Sequence, residues 1–177
     1  FHSLALHTKL VLVLTSTLLL LGFVLFFLLE MNNPGTMKEY SWSQKVLASF
    51  FQSMTTRTAG FNTIPLDQMT DGSKFITIIL MFIGGSPAGT AGGIKTVTLG
   101  VLFFSVMSTI RSREETEVFH RRIPDDIIKR SLAIIMMSLG VIIAVTIILT
   151  ITENQTFLDA AFEAVSAFAT VGLSLGI

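Results

Sequence analysis

Two long apolar runs dominate the pattern of hydrophobic and polar positions. Residues 10–29 contain no charge, and as a helix these twenty residues would reach about 30 Å, the thickness of a bilayer's hydrocarbon core. Residues 131–152 form a second charge-free run, of 22 residues. Both runs predict transmembrane helices.

A third apolar run is too long for one straight span. Residues 75–110 contain a single charge, Lys95, and as one helix these 36 residues would measure about 54 Å. Such a segment must tilt strongly, break or re-enter the membrane. We therefore predict a broken second helix over 75–110.

Two shorter segments begin with a polar capping pattern and end at a glycine stretch. Ser41 with Gln44, and Thr156 with Asp159, have the spacing that closes a helix N-terminus. The helices predicted over 41–56 and 157–168 are too short and too polar to span. We expect re-entrant half-helices, followed by irregular stretches at 57–63 and 169–176.

These elements repeat along the chain. A shift of 112 residues lays Gly60 on Gly172 and matches the residues around them. The predicted fold is an all-α membrane protein made of helix, pore half-helix, helix units. Residues 1–110 form one unit, 111–130 a loop, and 131–177 a second unit without its last helix, so we expect a piece of a longer protein.

The glycine stretches suit cation coordination. A dehydrating cation needs oxygen ligands, and backbone carbonyls can supply them where glycine permits unusual φ values. The C-terminal ends of the half-helices, near Thr55 and Ala167, would add partial negative charge. The alternative is that Gly60 and Gly172 only allow close packing between helices.

Three charged residues lie near these stretches. We expect Arg57 to brace its loop through carbonyls or an acid, since a positive charge in a cation path would repel the cation. Asp159 and Glu163 could attract cations at the mouth. Capping and the helix dipole explain Asp159 without that role, and we favour capping.

The stretch GGSPAGTAGGIKT, residues 84–96, interrupts the long apolar run. Ile94 precedes Lys95 where a phosphate-binding loop needs glycine, so that type of enzyme site is excluded. Close helix packing by small residues stays open. The length of the run favours a break lining a wet path, with Lys95 as a functional candidate. We predict a mobile gating loop, comprising Gly84, Gly85, Ser86, Pro87, Gly89, Thr90, Gly92, Gly93 and Lys95.

Composition supports a membrane environment. The chain is 51% hydrophobic and 14% charged, with zero formal net charge and no cysteine. It therefore offers no thiolate metal site and no sign of a nucleic-acid partner. Basic residues concentrate in 111–130, which predicts a cytoplasmic loop. That loop is either a solvated surface or a docking surface for a partner.

Three motifs together, TTRTAGFNT, GGSPAGTAGGIKT and SAFATVGLSLGI, resemble the Ktr/Trk/HKT superfamily of potassium transporters, with spacing nearest to its KtrB membrane subunits. The resemblance implies four repeats around one pore, of which this chain holds the third and most of the fourth. It implies that filter carbonyls bind K⁺, or Na⁺ as a transported or coupling ion, without a covalently bound cofactor. The implied filter residues are Thr58, Ala59, Gly60, Phe61, Asn62, Thr170, Val171, Gly172, Leu173 and Ser174.

The same resemblance implies partners and a function. It implies a homodimer in the plasma membrane, regulated by a cytoplasmic nucleotide-binding ring of the KtrA/TrkA type. We therefore expect potassium uptake through a loose single-glycine filter, gated at 84–96, and no enzyme activity. The alternatives are an alternating-access solute transporter with a midplane site at the broken helix, and a non-transporting scaffold.

Overall fold

The computed structural model is almost entirely helical, and it describes residues 6–85, 92–111, 117–118 and 121–176. Its elements are α1 (Leu6–Glu30), α2 (Trp42–Thr55), α3 (Asp71–Phe82), α4 (Thr96–Ile110), β1 (Glu117–Val118), β2 (Arg121–Arg122), α5 (Asp125–Thr152) and α6 (Phe157–Phe168). The predicted all-α class is confirmed. The structure also contains a short antiparallel β-ribbon that was not predicted, in which β1 and β2 pair Glu117 with Arg122 and Val118 with Arg121.

Among the described helices, α1 and α5 are long and apolar enough to cross a membrane. Most of their apolar side chains point outward, as Leu20 at 61% and Met137 at 74% exposure illustrate. An apolar surface of this extent is stable against lipid rather than water. These two helices are therefore the candidate membrane spans among the described residues.

Several helices begin earlier than the apolar runs predicted. α5 begins at Asp125 rather than at 131, and α3 begins at Asp71 rather than at 75. Thr70 caps α3, because its Oγ1 accepts a hydrogen bond from the Ser73 amide at 3.3 Å. Acidic residues in the first turn of α5 complement its dipole. The Thr70 cap and the acidic first turn of α5 both lie before the apolar runs, so these helices begin earlier and the predicted 111–130 loop ends at residue 124.

The second membrane segment of the first unit is broken. α3 ends at Phe82 and α4 begins at Thr96. The described residues between them, 83–85 and 92–95, are not helical. The remaining residues of the predicted gating loop, which are Ser86, Pro87, Gly89 and Thr90, lie outside the described residues. The break thus falls within the glycine-rich stretch.

Each short helix packs on the long helix before it, α2 on α1 and α6 on α5, while α6 also packs on α3. A glycine permits the first contact: Ser53 Oγ donates to the Leu19 carbonyl at 2.8 Å, and a Cβ on Gly22 would lie 2.4 Å from that Oγ. The main core gathers where these helices meet the glycine stretches and includes Phe26, Met37, Ile64, Met81, Phe162, Val165 and Val171. The stretches therefore lie against a packed apolar core.

Glu30 joins the end of α1 to the start of α3. Its buried carboxylate accepts from Asn33 Nδ2 at 2.7 Å and from the Thr70 amide and hydroxyl at 3.0 and 2.8 Å. A buried carboxylate is stable when hydrogen bonds replace its lost water. Glu30 thus fixes the connection between the two helices.

The two short helices differ in length. Ser41, the N-cap of α2, lies 17 residues before Thr58, whereas Thr156, the N-cap of α6, lies 14 residues before Thr170. The predicted caps are confirmed: the Ser41 amide donates to Gln44 Oε1 at 2.9 Å, and Thr156 Oγ1 accepts from the Asp159 amide at 3.3 Å. The 112-residue shift therefore aligns the glycine stretches but not the helix starts.

Candidate ion-binding filter and helix break

The two glycine stretches share one unusual backbone shape. Thr58 and Gly60 have φ values of 68° and 75°, and Thr170 and Gly172 have 53° and 87°. Glycine reaches positive φ easily, but a β-branched threonine does so at a cost of about 1–3 kcal/mol. In each stretch two positive-φ residues flank one residue that is not among the positive-φ positions. Strain at equivalent positions in both copies points to a functional requirement.

The two stretches lie side by side at their central glycines. A Cβ built on Gly60 would lie 2.5 Å from the Val171 carbonyl oxygen, and one built on Gly172 would lie 3.6 Å from Gly60 Cα. Position 60 therefore has no room for a side chain. The predicted filter segments Thr58–Asn62 and Thr170–Ser174 meet here, although they are far apart in sequence.

A hydroxyl from each short helix supports the residue after the central glycine. Thr55 Oγ1 donates to the Phe61 carbonyl and accepts from the Phe61 amide. Ser166 Oγ donates to the Leu173 carbonyl at 2.5 Å. Sequence reasoning missed both side chains. The sequence signal that could have identified them is a hydroxyl residue about one helical turn before Thr58 and before Thr170.

The second stretch has an additional carboxylate support. Glu163 Oε1 accepts from Ser174 Oγ at 2.8 Å and from the Leu175 amide at 2.7 Å. Hydrogen bonds to a carboxylate are stronger than those between neutral groups. Glu163 therefore holds the C-terminal end of the second glycine stretch, and Phe51 occupies the equivalent position of the first unit under the 112-residue shift.

Asp159 links the two units as well as meeting the cap of α6. Its Oδ1 pairs with Lys74 Nζ of α3 at 2.8 Å, and its Oδ2 accepts from Thr156 Oγ1 at 2.7 Å. Partial burial disfavours the charged carboxylate, but hydrogen bonds from Lys74 and Thr156 and the charge of Lys74 outweigh it. The pKa of Asp159 therefore lies below its ordinary value of 3.8. The preference for a capping role over a cation site at Asp159 agrees with these contacts.

The break in the second helix touches both stretches. Arg57 Nη2 donates to the Gly84 carbonyl at 3.3 Å, which confirms that this cation braces a carbonyl. The Gly92 amide donates to Thr170 Oγ1 at 3.0 Å. Gly84 and Gly85 are buried, and Lys95 forms the N-cap of α4. The described ends of the predicted gating loop therefore lie directly beside the predicted filter.

The chemistry available at this site is that of backbone and hydroxyl oxygens. Within the described residues, no cluster of three or more His, Cys, Asp or Glu side chains could hold a metal ion. Carbonyl oxygens suit weakly held alkali cations that must pass through, because they replace water without a tight charged site.

Comparison with known proteins gives a consistent result. Residues 1–177 match the family described as TrkH, cation transport protein. The Ktr system potassium uptake proteins B of Vibrio alginolyticus and Bacillus subtilis (strain 168) are each 42% identical over all 177 residues. The potassium/sodium uptake protein NtpJ of Enterococcus hirae is 35% identical over 176 residues, or 97% of this chain. The chain spans about two fifths of these relatives, covering 39%, 40% and 39% of their lengths.

A solved structure shares the fold. The crystal structure of the potassium transporter TrkH from Vibrio parahaemolyticus superposes with a TM-score of 0.70 and 19% sequence identity. The match covers 93% of this chain and 37% of that one. Helix, half-helix and glycine stretch are thus arranged as in a known membrane transporter.

Proposed function

Because the chain belongs to the TrkH family of cation transport proteins, we propose that it is part of a potassium uptake subunit and contributes two of its filter stretches. The observation that carries this proposal is the repeated backbone at Thr58–Gly60 and Thr170–Gly172, where left-handed threonines and glycines meet side by side. Two such stretches at the ends of half-helices would place carbonyl oxygens and helix C-termini around a cation.

Within these stretches, the carbonyls best suited to bind the ion are those of the central glycine and of the two residues before it. The carbonyls of Phe61 and Leu173 accept hydroxyl hydrogen bonds from α2 and α6, which anchors the filter ends. The carbonyls that remain as candidate ion ligands are therefore those of residues 58–60 and 170–172. K⁺ is the proposed cargo, and the name of the NtpJ relative makes Na⁺ the competing ion to test.

The experiment uses the full-length protein in cells that lack their own potassium uptake. Expression should restore growth at low K⁺, with K⁺ influx that Na⁺ competes with weakly. Influx that tracks an organic solute instead of K⁺ would favour the alternating-access alternative, for which the helix break between α3 and α4 is the supporting observation. Growth and influx equal to the empty vector would contradict the proposal.

The break is the proposed gate of this path. Its described ends lie against both filter stretches, where a change in position would alter the passage. Shortening residues 84–96 in the full-length protein should raise K⁺ influx and weaken its dependence on the regulatory subunit. Unchanged influx and unchanged regulation would contradict a gating role.

The remaining assignments concern assembly and orientation. The subunit forms a homodimer in the plasma membrane, with 111–130 on the cytoplasmic side facing a nucleotide-binding ring of the KtrA/TrkA type. The names of two relatives, each protein B of a Ktr system for potassium uptake, support the presence of a further component in such a system. Accessibility of a label placed at residue 111, from inside or outside the cell, tests the orientation. Co-purification with the ring tests the partner.

A further inference from the structure

The two ends of the helix break are joined to each other. We define the neck as residues 82–85, leaving α3, together with 92–96, entering α4. The Ile94 amide donates to the Phe82 carbonyl at 3.0 Å, and the Thr96 amide donates to the Gly85 carbonyl at 3.4 Å. The glycines pack closely enough that a Cβ on Gly84 would lie 1.9 Å from the Gly92 oxygen. The neck is therefore a single unit.

One side of the neck is attached to the first filter stretch. Arg57 immediately precedes Thr58, and its Nη2 reaches the Gly84 carbonyl at 3.3 Å. Its Nη1 is buried and has no hydrogen-bond partner among the described residues. A guanidinium removed from water depends strongly on the hydrogen bonds it does make. The contact with Gly84 therefore fixes where this side of the neck lies.

The other side of the neck is attached to the second filter stretch. The Gly92 amide donates to Thr170 Oγ1 at 3.0 Å. A Cβ on Gly92 would lie 2.5 Å from the Ala169 carbonyl oxygen and 2.6 Å from Thr170 Oγ1, so the backbone at 92 rests directly on the filter. Thr170 is one of the left-handed residues, and its backbone conformation determines where its hydroxyl points.

We infer that Arg57 and Thr170 are positioning residues that attach the two sides of the neck to the two filter stretches. The inference rests on the proposed function and adds a coupling between filter and gate. If a filter stretch changes shape as K⁺ leaves, both attachments transmit the change to the neck. Coupling is reciprocal, so a regulator that moves the neck would change the affinity of the filter for K⁺.

The first test compares two substitutions at one hydroxyl in the full-length protein, with its regulatory ring. Thr170→Val removes the acceptor for the Gly92 amide and keeps the shape, whereas Thr170→Ser keeps the hydroxyl. Loss of one hydrogen bond should raise K⁺ influx in the absence of the regulator's activating nucleotide by about fivefold. Thr170→Ser should retain wild-type regulation. Equal behaviour of the two variants would overturn the inference.

Arg57 supplies the same test at the other attachment. Arg57→Gln should loosen regulation, and Arg57→Lys should restore part of it, because a cation can still donate to the Gly84 carbonyl. Thr109→Val is the matched control, since among the described residues its hydroxyl donates within α4, to the Ser105 carbonyl, away from the neck. A loss of regulation in the control equal to that in Thr170→Val would also overturn the inference.

A measurement on the wild-type protein covers the case in which the variants fail to fold. Amide hydrogen exchange at Gly92, Ile94 and Thr96 should slow when K⁺ replaces an impermeant cation, because an occupied filter holds the neck in place. Exchange that is independent of K⁺, in a protein that carries K⁺, would overturn the coupling alone. A wild-type protein that carries no K⁺ would overturn the proposed function instead.

Discussion

The two proposed filter stretches, residues 58–62 and 170–174, have positive φ at equivalent positions but different supports. Both place a threonine and a glycine in the left-handed region, and both receive a hydroxyl from the end of their half-helix. The second stretch adds Glu163, which holds Ser174 and Leu175. The first instead has Arg57, whose described hydrogen bond leads away to Gly84.

This difference separates the features that the two stretches share from those that belong to one stretch. The shared features, left-handed backbone and hydroxyl support, concern the backbone shape of each stretch. The features that differ, Arg57 beside the first stretch and Glu163 beside the second, determine which other part of the molecule each stretch contacts. The first is tied to the neck through a charged side chain, while the second has its own carboxylate and meets the neck through Thr170. Equal shape therefore does not imply equal sensitivity to mutation.

The largest expected effect comes from filling the central glycines. Gly60→Ala would require a left-handed alanine, costing about 1–2 kcal/mol, and would bring its Cβ to 2.5 Å from the Val171 oxygen. K⁺ influx should fall at least about tenfold. The Cβ of Gly172→Ala would lie 3.6 Å from Gly60 Cα, an ordinary contact distance, so the loss of influx should be smaller. Measurements of K⁺ influx and of K⁺/Na⁺ selectivity in both variants test whether Gly60→Ala loses more than Gly172→Ala. Equal losses in the two variants would contradict this prediction.

The next largest effect should come from Glu163. Glu163→Ala removes the acceptor for Ser174 and the Leu175 amide and should cost about 2 kcal/mol of local stability, since hydrogen bonds to charged groups contribute about 1.5–3 kcal/mol. We expect reduced K⁺/Na⁺ selectivity in influx assays. Glu163→Gln, which keeps an acceptor oxygen, is the control and should lose less. If both variants keep full selectivity, the carboxylate does not support the filter.

A smaller effect is expected from the half-helix hydroxyls. Thr55→Val removes two hydrogen bonds to the Phe61 backbone and Ser166→Ala removes one to the Leu173 carbonyl, each contributing about 1 kcal/mol. Selectivity should fall by small factors in both variants, somewhat more in Thr55→Val, while Thr55→Ser should behave as wild type. Competition of Na⁺ with K⁺ influx measures this. A large effect at only one of the two sites would show that the shared support is not equivalent.

The smallest effect concerns the ion pair between the units. The depressed pKa of Asp159 means that its stabilising contribution is complete above the ordinary value of 3.8 and is lost as pH falls through the lower folded value. Between pH 5 and 8 this pair should therefore add no pH dependence to Tm. Lys74→Met should lower Tm slightly at neutral pH, with the difference from wild type disappearing in strong acid. A Tm difference that persists at low pH would exclude the pair as its cause.

Sequence patterns predicted the elements but not the contacts between them. Charge-free runs located α1 and α5, and capping patterns located α2 and α6, because hydrophobicity and caps are local properties. The helix starts at Asp71 and Asp125 were missed, since an apolar run does not mark where a polar helix end begins. Capping at Asp159 and a carbonyl contact for Arg57 were predicted.

The supporting residues could not be predicted in the same way. Glu163 was weighed as a cation-attracting residue, whereas its carboxylate binds Ser174 and the Leu175 amide. The pair between Lys74 and Asp159 joins residues 85 positions apart. Such contacts depend on how α3 and α6 pack, which no local pattern encodes.

The unequal lengths of α2 and α6 also bear on how a duplicated unit can diverge. The two helices match from their filter ends backward, and the three additional residues of the first unit all lie toward Ser41, lengthening that arm by about 4.5 Å. An insertion near Ser41 or Thr156 would shift only the N-terminal end of its short helix, whereas one inserted residue after Thr55 or Ser166 would rotate the glycine stretch relative to that helix. Inherited variation should therefore accumulate near these helix N-termini and be removed near the glycine stretches.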